Sequence, residues 1–321
     1  MKAFSYVTAQ TADSAVSLVG DRGRFLAGGM DLLGEMKDGL VDPALLVNVK
    51  VVPGTREIAA GRGTWTVGAN VTLTRLAEHA EVRKFFPGLA QAAEAVGSPQ
   101  MRNGATVGGN LAQHSRCWYF RQRDARCVKK GGPRCLARGG ENKYHSVLAH
   151  TMCLSPCVAN LAVALAALDA SVVVQRGAKT VTLTVAQLYD KAWTDAKAHH
   201  SLGSDELILR VEVPVVAGAR SVYVKVAEKS EFDWALVSCA AAGRVEGGQF
   251  RGVRLALGSV APVPWQMQEA NAFLEGKPAT DATPAGAAAI LLRDAEAREH
   301  NGYKIPVAKA LVRRALAALG A

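Results

Sequence analysis

The chain has 321 residues, is 49% hydrophobic and 21% charged, and has a mean hydropathy near zero. That is the composition of a globular protein long enough for two or three domains, and it excludes a disordered tail, a collagen-like fibre and a small disulfide scaffold. A formal net charge of +10 permits an anionic partner or nucleic acid without demanding either.

Through residues 1–60 short strands and helices alternate. Thr11 or Asp13 is placed to cap a helix that runs on through Val19. Arg24-Phe25-Leu26-Ala27 reads as a strand entering the pair Gly28-Gly29, Asp31 to Lys37 turns helical, and Ala44 to Val49 returns as a strand. Strand, glycine pair and helix together suit an anion such as a phosphate, because glycines let backbone N–H groups approach it and a helix start adds partial positive charge. The bland alternative is a tight turn, and the lack of Gly-x-Gly-x-x-Gly argues against a Rossmann site.

Residues 64–112 repeat the theme. Thr64 to Ala69 is a strand, Thr72 caps a helix, Gly88 to Ala95 is a second helix, and Ala105-Thr106-Val107-Gly108-Gly109-Asn110-Leu111 reads as another strand with a glycine pair. Two such loops about 80 residues apart in the chain suggest one pyrophosphate held from both sides. Residues 114–157 lack periodicity. Val158 to Leu168 is an apolar helix, Ser171 to Gln175 and Lys179 to Leu183 form a hairpin, and Pro214 to Gly218 is a linker. Three strands (220–227, 235–245, 251–258) and helices near 266–275, 285–297 and 306–319 complete an antiparallel sheet backed by helices. The longest apolar run, Val158 to Ala170, is interrupted by Asn160 and Asp169 and is too short to span a bilayer.

Of six cysteines, five lie within the 41 residues from Cys117 to Cys157. The opening Met1-Lys2-Ala3-Phe4-Ser5-Tyr6 has neither an apolar signal core nor a twin arginine, so no secretion signal is expected and the sequence by itself reads as cytoplasmic. In that setting clustered cysteines suggest a metal or redox site before disulfides. The spacing Cys117-x9-Cys127-x7-Cys135-x17-Cys153 lacks the tight knuckles of four-cysteine zinc sites. Iron–sulfur clusters tolerate wider spacing, and free thiols or oxidised pairs remain as alternatives. Cys157 competes with Cys153 as a fourth ligand, and Cys239 lies in an apolar strand as an inert thiol. His114, His145 and His150 lie in or beside the loop, whereas His199-His200 reads as a polar loop. Eight lysines and arginines between Cys117 and Cys153 face only Asp124 and Glu141. They form a solvated face, stabilise a negative cluster, dock an acidic redox partner, or, with Trp118, Tyr119 and Phe120, bind RNA. The flavin resemblance described next leaves no place for nucleic acid.

The glycine-pair segments, with Val67-Gly68-Ala69-Asn70-Val71-Thr72 between them and Tyr223-Val224-Lys225 and Phe232-Asp233-Trp234-Ala235 after them, resemble the FAD-binding subunit of the xanthine oxidase family of molybdenum hydroxylases over essentially the whole chain. The resemblance implies an α+β fold. A two-lobed FAD-binding domain of the vanillyl-alcohol-oxidase (PCMH) type would occupy residues 1–213, and a C-terminal α+β domain with a three-stranded antiparallel sheet and helices residues 217–321. Leu26, Ala27, Gly28, Gly29, Met30, Asp31, Leu32, Leu33 and Gly34 would then wrap the FAD pyrophosphate. Thr106, Gly109 and Asn110 would contact flavin or diphosphate, and Lys225 would approach the ring. Asn160 stands where many members carry Asp; it keeps hydrogen-bonding capacity toward ribityl or ribose hydroxyls but not the charge. Non-covalent FAD is expected.

The cysteine loop at about 114–157 resembles the subset with an extra [4Fe-4S] cluster, the periplasmic aldehyde oxidoreductase and 4-hydroxybenzoyl-CoA reductase types. This implies ligation by Cys117, Cys127, Cys135 and Cys153, with family order favouring Cys153 over Cys157. Partners then follow: a large molybdopterin-binding subunit, a small subunit with two [2Fe-2S] centres, and an external electron acceptor. The chain itself would be an electron-transfer subunit, with aldehyde oxidation as the leading chemistry of the complex. Aryl-CoA reduction and a stand-alone flavin/Fe-S reductase are the alternatives. A signal-bearing partner would allow co-export to the periplasm.

Overall fold

A computed structural model describes residues 1–148, 151–280 and 282–320; His150 lies outside the described residues. The first lobe contains β1 (Ser5–Thr8), α1 (Ala12–Val19), β2 (Gly23–Leu26), α2 (Leu32–Lys37) and β3 (Leu45–Asn48). β3 lies between β1 and β2 and pairs parallel with both. Thr11, not Asp13, caps α1: its hydroxyl accepts from the Ser14 amide while its own amide donates to Ser14 Oγ. Asp13 instead accepts from Gln175 Nε2 at 2.7 Å. The helix thereby lays Ala15 and Val19 onto Val47 and Val49 of the sheet side.

The second lobe follows with β4 (Ile58–Ala60), β5 (Thr64–Gly68), α3 (Leu73–Glu78), α4 (Ala80–Phe85), α5 (Pro87–Glu94), α6 (Pro99–Gly104), α7 (Val107–Leu111) and α8 (Trp118–Arg121). After the cysteine segment come α9 (Asn160–Ala167), β6 (Ser171–Arg176), β7 (Lys179–Thr184), α10 (Val185–Thr194) and β8 (Glu206–Pro214). The strands form one antiparallel sheet in the order β4-β5-β8-β6-β7. Beyond Asn160, α9 is apolar on every face, which suits its complete burial within the main core.

The expected strand at 105–111 is a helix. Thr106 is extended and its Oγ1 accepts from the Gly109 amide at 3.1 Å, so the β-branched pair Thr106-Val107 marks a cap and first turn, not a ladder.

β9 (Arg220–Val226), β10 (Val237–Glu246) and β11 (Gln249–Gly258) form the expected antiparallel sheet, order β11-β10-β9. Behind it lie α11 (Gln268–Leu274), α12 (Ala282–Leu291) and α13 (Lys304–Gly320). α12 stops short of the expected Ala297 because the chain leaves it to pair with the cysteine segment, the Glu296 amide donating to Val147 O at 2.7 Å. The expected linker is the end of β8 plus a turn closed by Ala219 N to Val216 O.

α5 packs on β9 so tightly that a Cβ on Gly88 would meet the Val222 backbone nitrogen at 2.7 Å. Gly88 N donates to Ser221 Oγ at 3.0 Å and Tyr223 N to Gln91 Oε1 at 2.8 Å, which fixes the C-terminal sheet against the second lobe. Among the described residues no helix is long and apolar enough to cross a membrane.

Lys304, at the start of α13, is fully buried and donates to Tyr144 O (3.0 Å) and Ser259 O (2.7 Å). Burial pushes its pKa down to about 7. Because the unfolded lysine binds its proton up to about pH 10.4, the native state gains stability as pH rises from 7 toward that value and loses it as pH falls back. In Lys304→Met this titration is gone. Guanidinium unfolding should therefore show the variant gaining on the wild type, by about 1 kcal/mol or more, as pH is lowered from about 10 to about 7.

Candidate functional site

β2 delivers the chain to Gly28 and Gly29. Gly29 has φ +73°, a left-handed conformation that costs an ordinary side chain about 1 kcal/mol. A Cβ on Gly28 would overlap the carbonyl oxygen of Gly104, so the two glycine loops meet backbone against backbone. Between them opens a cavity of about 630 Å³, within the usual range for a bound cofactor. Leu26, Ala27, Gly28, Gly29, Met30, Asp31 and Leu32 line it from the first loop, Thr106, Gly109 and Asn110 from the second, and Asn160 from α9. Leu33 and Gly34 do not line it; they lie inside α2, where Leu33 packs over Gly29.

Asn110 Oδ1 accepts from the Leu161 amide at 3.3 Å, and Asn160 Nδ2 donates to Ala92 O at 3.4 Å. Both buried amides keep hydrogen-bonding capacity beyond these contacts. Lys225, from β9, also lines the cavity and donates to Ala95 O (2.9 Å) and Asp233 O (2.6 Å). Burial lowers its pKa. It thereby ties down the segment Phe232-Asp233-Trp234, which also lines the cavity. Phe232 sits there at φ +75° with its amide on Gly97 O, and both aromatics are exposed.

Asp31 connects this cavity to the cysteine segment. Its Oδ1 pairs with Arg116 Nη1 (2.9 Å) and Arg121 Nη2 (2.7 Å), while Oδ2 accepts the His114 amide (2.8 Å). One turn on, Glu35, 1% exposed, meets His114 Nδ1 at 3.1 Å and Arg121 at 3.4 Å. Burial alone would raise the Asp31 carboxyl, but the two guanidiniums outweigh it and hold it below the usual range. The carboxylate next to the glycine pair is therefore neutralised by residues flanking Cys117.

Cys127, Cys135 and Cys153 are buried and Cys117 is partly so. Burial pushes Cys117 up to about 11, the charges of Cys135 and Cys127 adding to the rise and the amides of Phe120 and Tyr119 opposing it. Cys135 and Cys153 lie close together, and their mutual interaction lowers the first and raises the second. Backbone amides also face sulfur at Cys135 (from Leu154 and Ala137) and at Cys153 (from Ser155, 3.5 Å). Cys135 and Cys153 share a small apolar cluster with Val128, Ala137 and Leu154. Cys157 belongs to the main core, with its amide on Ala261 O and its carbonyl on Ser259 N. Among the described residues no three His, Cys, Asp or Glu side chains converge as a single metal ion requires. Part of the loop's positive charge is structural: Lys129 donates to Ala198 O, Lys130 to Gln122 O and Arg138 to Thr151 O.

The cavity is also lined by His114, His199 and His200, which no spacing in the sequence joins to it. His114 stacks on His199 with centroids 4.1 Å apart and planes 12° from parallel. His199 Nδ1 accepts the Ser115 amide at 3.0 Å, and His200 lies 5.9 Å from His114. Burial first, and His114 second, lowers both, His200 to about 4. Among the described residues His200 Nδ1 is buried without a hydrogen-bond partner.

Residues 2–216 match the family described as the FAD binding domain in molybdopterin dehydrogenase, and residues 222–319 match the CO dehydrogenase flavoprotein C-terminal domain. Fold and site thus define a flavin subunit of a molybdenum oxidoreductase. The chain belongs to the family of FAD-binding medium subunits of the molybdopterin hydroxylases. It is 33% identical over 325 residues to the aldehyde oxidoreductase FAD-binding subunit PaoB of Escherichia coli, covering 99% of this chain and 98% of that one. It is 27% identical over 323 residues to the carbon monoxide dehydrogenase medium chain of Hydrogenophaga pseudoflava, covering 98% and 96%. A solved structure of carbon monoxide dehydrogenase from that organism superposes with a TM-score of 0.79 at 25% identity, covering 99% of this chain and 98% of that one. Quinoline 2-oxidoreductase from Pseudomonas putida 86 gives 0.76 at 26% identity, covering 100% and 99%.

Proposed function

We propose that this chain relays electrons between FAD, a [4Fe-4S] cluster and the [2Fe-2S] centres of a partner subunit, within a molybdenum hydroxylase that oxidises aldehydes. The Asp31 ion cluster carries this reading, because it makes the lip of the flavin cavity and the start of the cysteine loop one packed unit. Identity to the aldehyde oxidoreductase subunit, 33% against 27% for the carbon monoxide enzyme, supports the substrate class. The partners are a large molybdopterin subunit and a small iron–sulfur subunit.

FAD and the cluster, when bound, supply reversible electron exchange. The chain's own residues hold and shield them. Gly28 and Gly29 admit the diphosphate to the backbone, with Met30, Asp31 and Leu32 completing the first wall. Thr106, Gly109 and Asn110 form the second, and Asn160 offers an amide to ribityl or ribose hydroxyls. Arg116 and Arg121 cancel the Asp31 charge that would repel a diphosphate. Lys225 anchors the Phe232–Trp234 segment of the cavity wall.

Cys117, Cys127, Cys135 and Cys153 ligate the cluster, and the backbone amides facing their sulfurs suit thiolate ligands. The domain division at about 213–217 and the insert at about 114–157 are part of the same reading.

Affinity purification from native cells tests it. Molybdenum and a small iron–sulfur chain should co-purify, and the complex should reduce a dye with aldehydes as donors. Recovery of the chain without molybdenum would make it a stand-alone reductase. Turnover of an aryl-CoA thioester in place of aldehydes would reassign the chemistry.

A further inference from the structure

His145 is 2% exposed and lies 3.1 Å, through Nε2, from the sulfur of Cys117. Its ring is wedged between Trp118 and Tyr119, with centroids 5.6 and 6.0 Å away. Among the described residues Nδ1 is buried without a hydrogen-bond partner, and the ring's polar contact is made through Nε2. The turn that carries it is held from outside the cysteine loop. His300 N donates to Asn142 Oδ1 (3.0 Å), Asn301 Nδ2 to the carbonyls of His145 (3.3 Å) and Ser146 (3.1 Å), and Lys304 Nζ to Tyr144 O (3.0 Å). Three residues at the entry to α13 thus hold the Asn142 side chain and the backbone of residues 144–146, and the imidazole with it. An immobilised ring with one partner is poised to act on that partner, not to exchange with solvent.

We propose that His145 is a positioning residue for the cysteine-bound centre: its Nε2–H donates a hydrogen bond to the Cys117 sulfur and raises the reduction potential of the cluster, without ligating iron. The inference rests on the cluster ligation proposed above. A coordinated thiolate has no proton, so Nε2 must be the donor in that contact. A hydrogen bond to a ligating sulfur withdraws electron density and favours the reduced, more negative state. Four cysteines already supply the ligands, so the ring is not needed as one.

The test uses the native complex purified without oxygen, with redox titration followed by electron paramagnetic resonance. His145→Phe keeps the ring packing and removes the donor; His145→Gln places an amide N–H near the position of Nε2. The expected result is unchanged iron and FAD in both variants, a potential shifted to more negative values in His145→Phe, and a potential near wild type in His145→Gln. An unchanged potential in His145→Phe overturns the proposal, and so does loss of iron from both variants. Should His145→Phe fail to fold, wild-type complex labelled with 15N-histidine decides by pulsed resonance. Weak coupling of one nitrogen to the cluster is expected, whereas strong coupling of a direct ligand, or none, overturns the proposal. Absence of any iron–sulfur signal in wild type would instead sink the ligand assignment on which it rests.

Discussion

Gly28→Ala is expected to strip FAD from the chain. The added methyl overlaps the carbonyl oxygen of Gly104 and comes within 3.3 Å of the Ala105 Cα. Both obstacles are backbone, so no rotamer change relieves the overlap and the two loops must separate. Overpacking of this kind costs about 1–3 kcal/mol or more, and here the strain falls on the wall of the cavity. A loss of about fivefold or more in FAD affinity follows from the lower end of that range. Gly34 is the internal control. A Cβ there meets nothing within 4 Å, and Gly34 does not line the cavity. Gly34→Ala should keep its FAD and, inside α2, gain up to about 1 kcal/mol of helix stability. The yellow flavin released by acid, measured per chain, separates the two. Full FAD in Gly28→Ala, or loss of it in Gly34→Ala, would contradict the arrangement.

Serine at Cys127 or Cys135 is expected to remove about four irons per chain, the content of one [4Fe-4S] cluster, and to leave FAD bound. FAD survives because the cavity and the Asp31 ion cluster contain neither side chain. Cys157→Ser should leave both cofactors in place: that thiol lies in the main core, while Cys135 and Cys153 sit together as free thiols in a separate cluster. Iron lost from Cys157→Ser but kept in Cys153→Ser would transfer the fourth ligand to Cys157.

The parts of this architecture that were legible in the sequence are those encoded locally. Thr72 and the β-rich run from Arg220 to Gly258 declare a cap and three strands through side-chain types within a few residues, and the structure has them. Gly28-Gly29 suits an anion approaching its backbone, whereas the Gly104 carbonyl packed against Gly28 comes from 76 residues along the chain and has no local sign. Thr106-Val107 misled because β-branched residues signal strands, whereas here one of them caps a helix. β8 was not anticipated as the strand between β5 and β6, since only the assembled sheet brings Glu206–Pro214 between partners far away in the chain. Asp31 was picked out for its place beside the glycines, but its pairing with Arg116 and Arg121 spans 85 and 90 residues. The stack of His114 on His199 is equally non-local, and no spacing rule would have joined them.

The account turns on one chain holding a flavin and an iron–sulfur centre side by side. The direct measurement is flavin, iron and zinc analysis with Mössbauer spectroscopy on the native complex, purified without oxygen and compared with its Cys127→Ser variant. Acid should release FAD equally from both, and the wild type alone should carry a [4Fe-4S] signal worth about four irons per chain. FMN in place of FAD, zinc in place of that iron, or the same iron in the variant would contradict it.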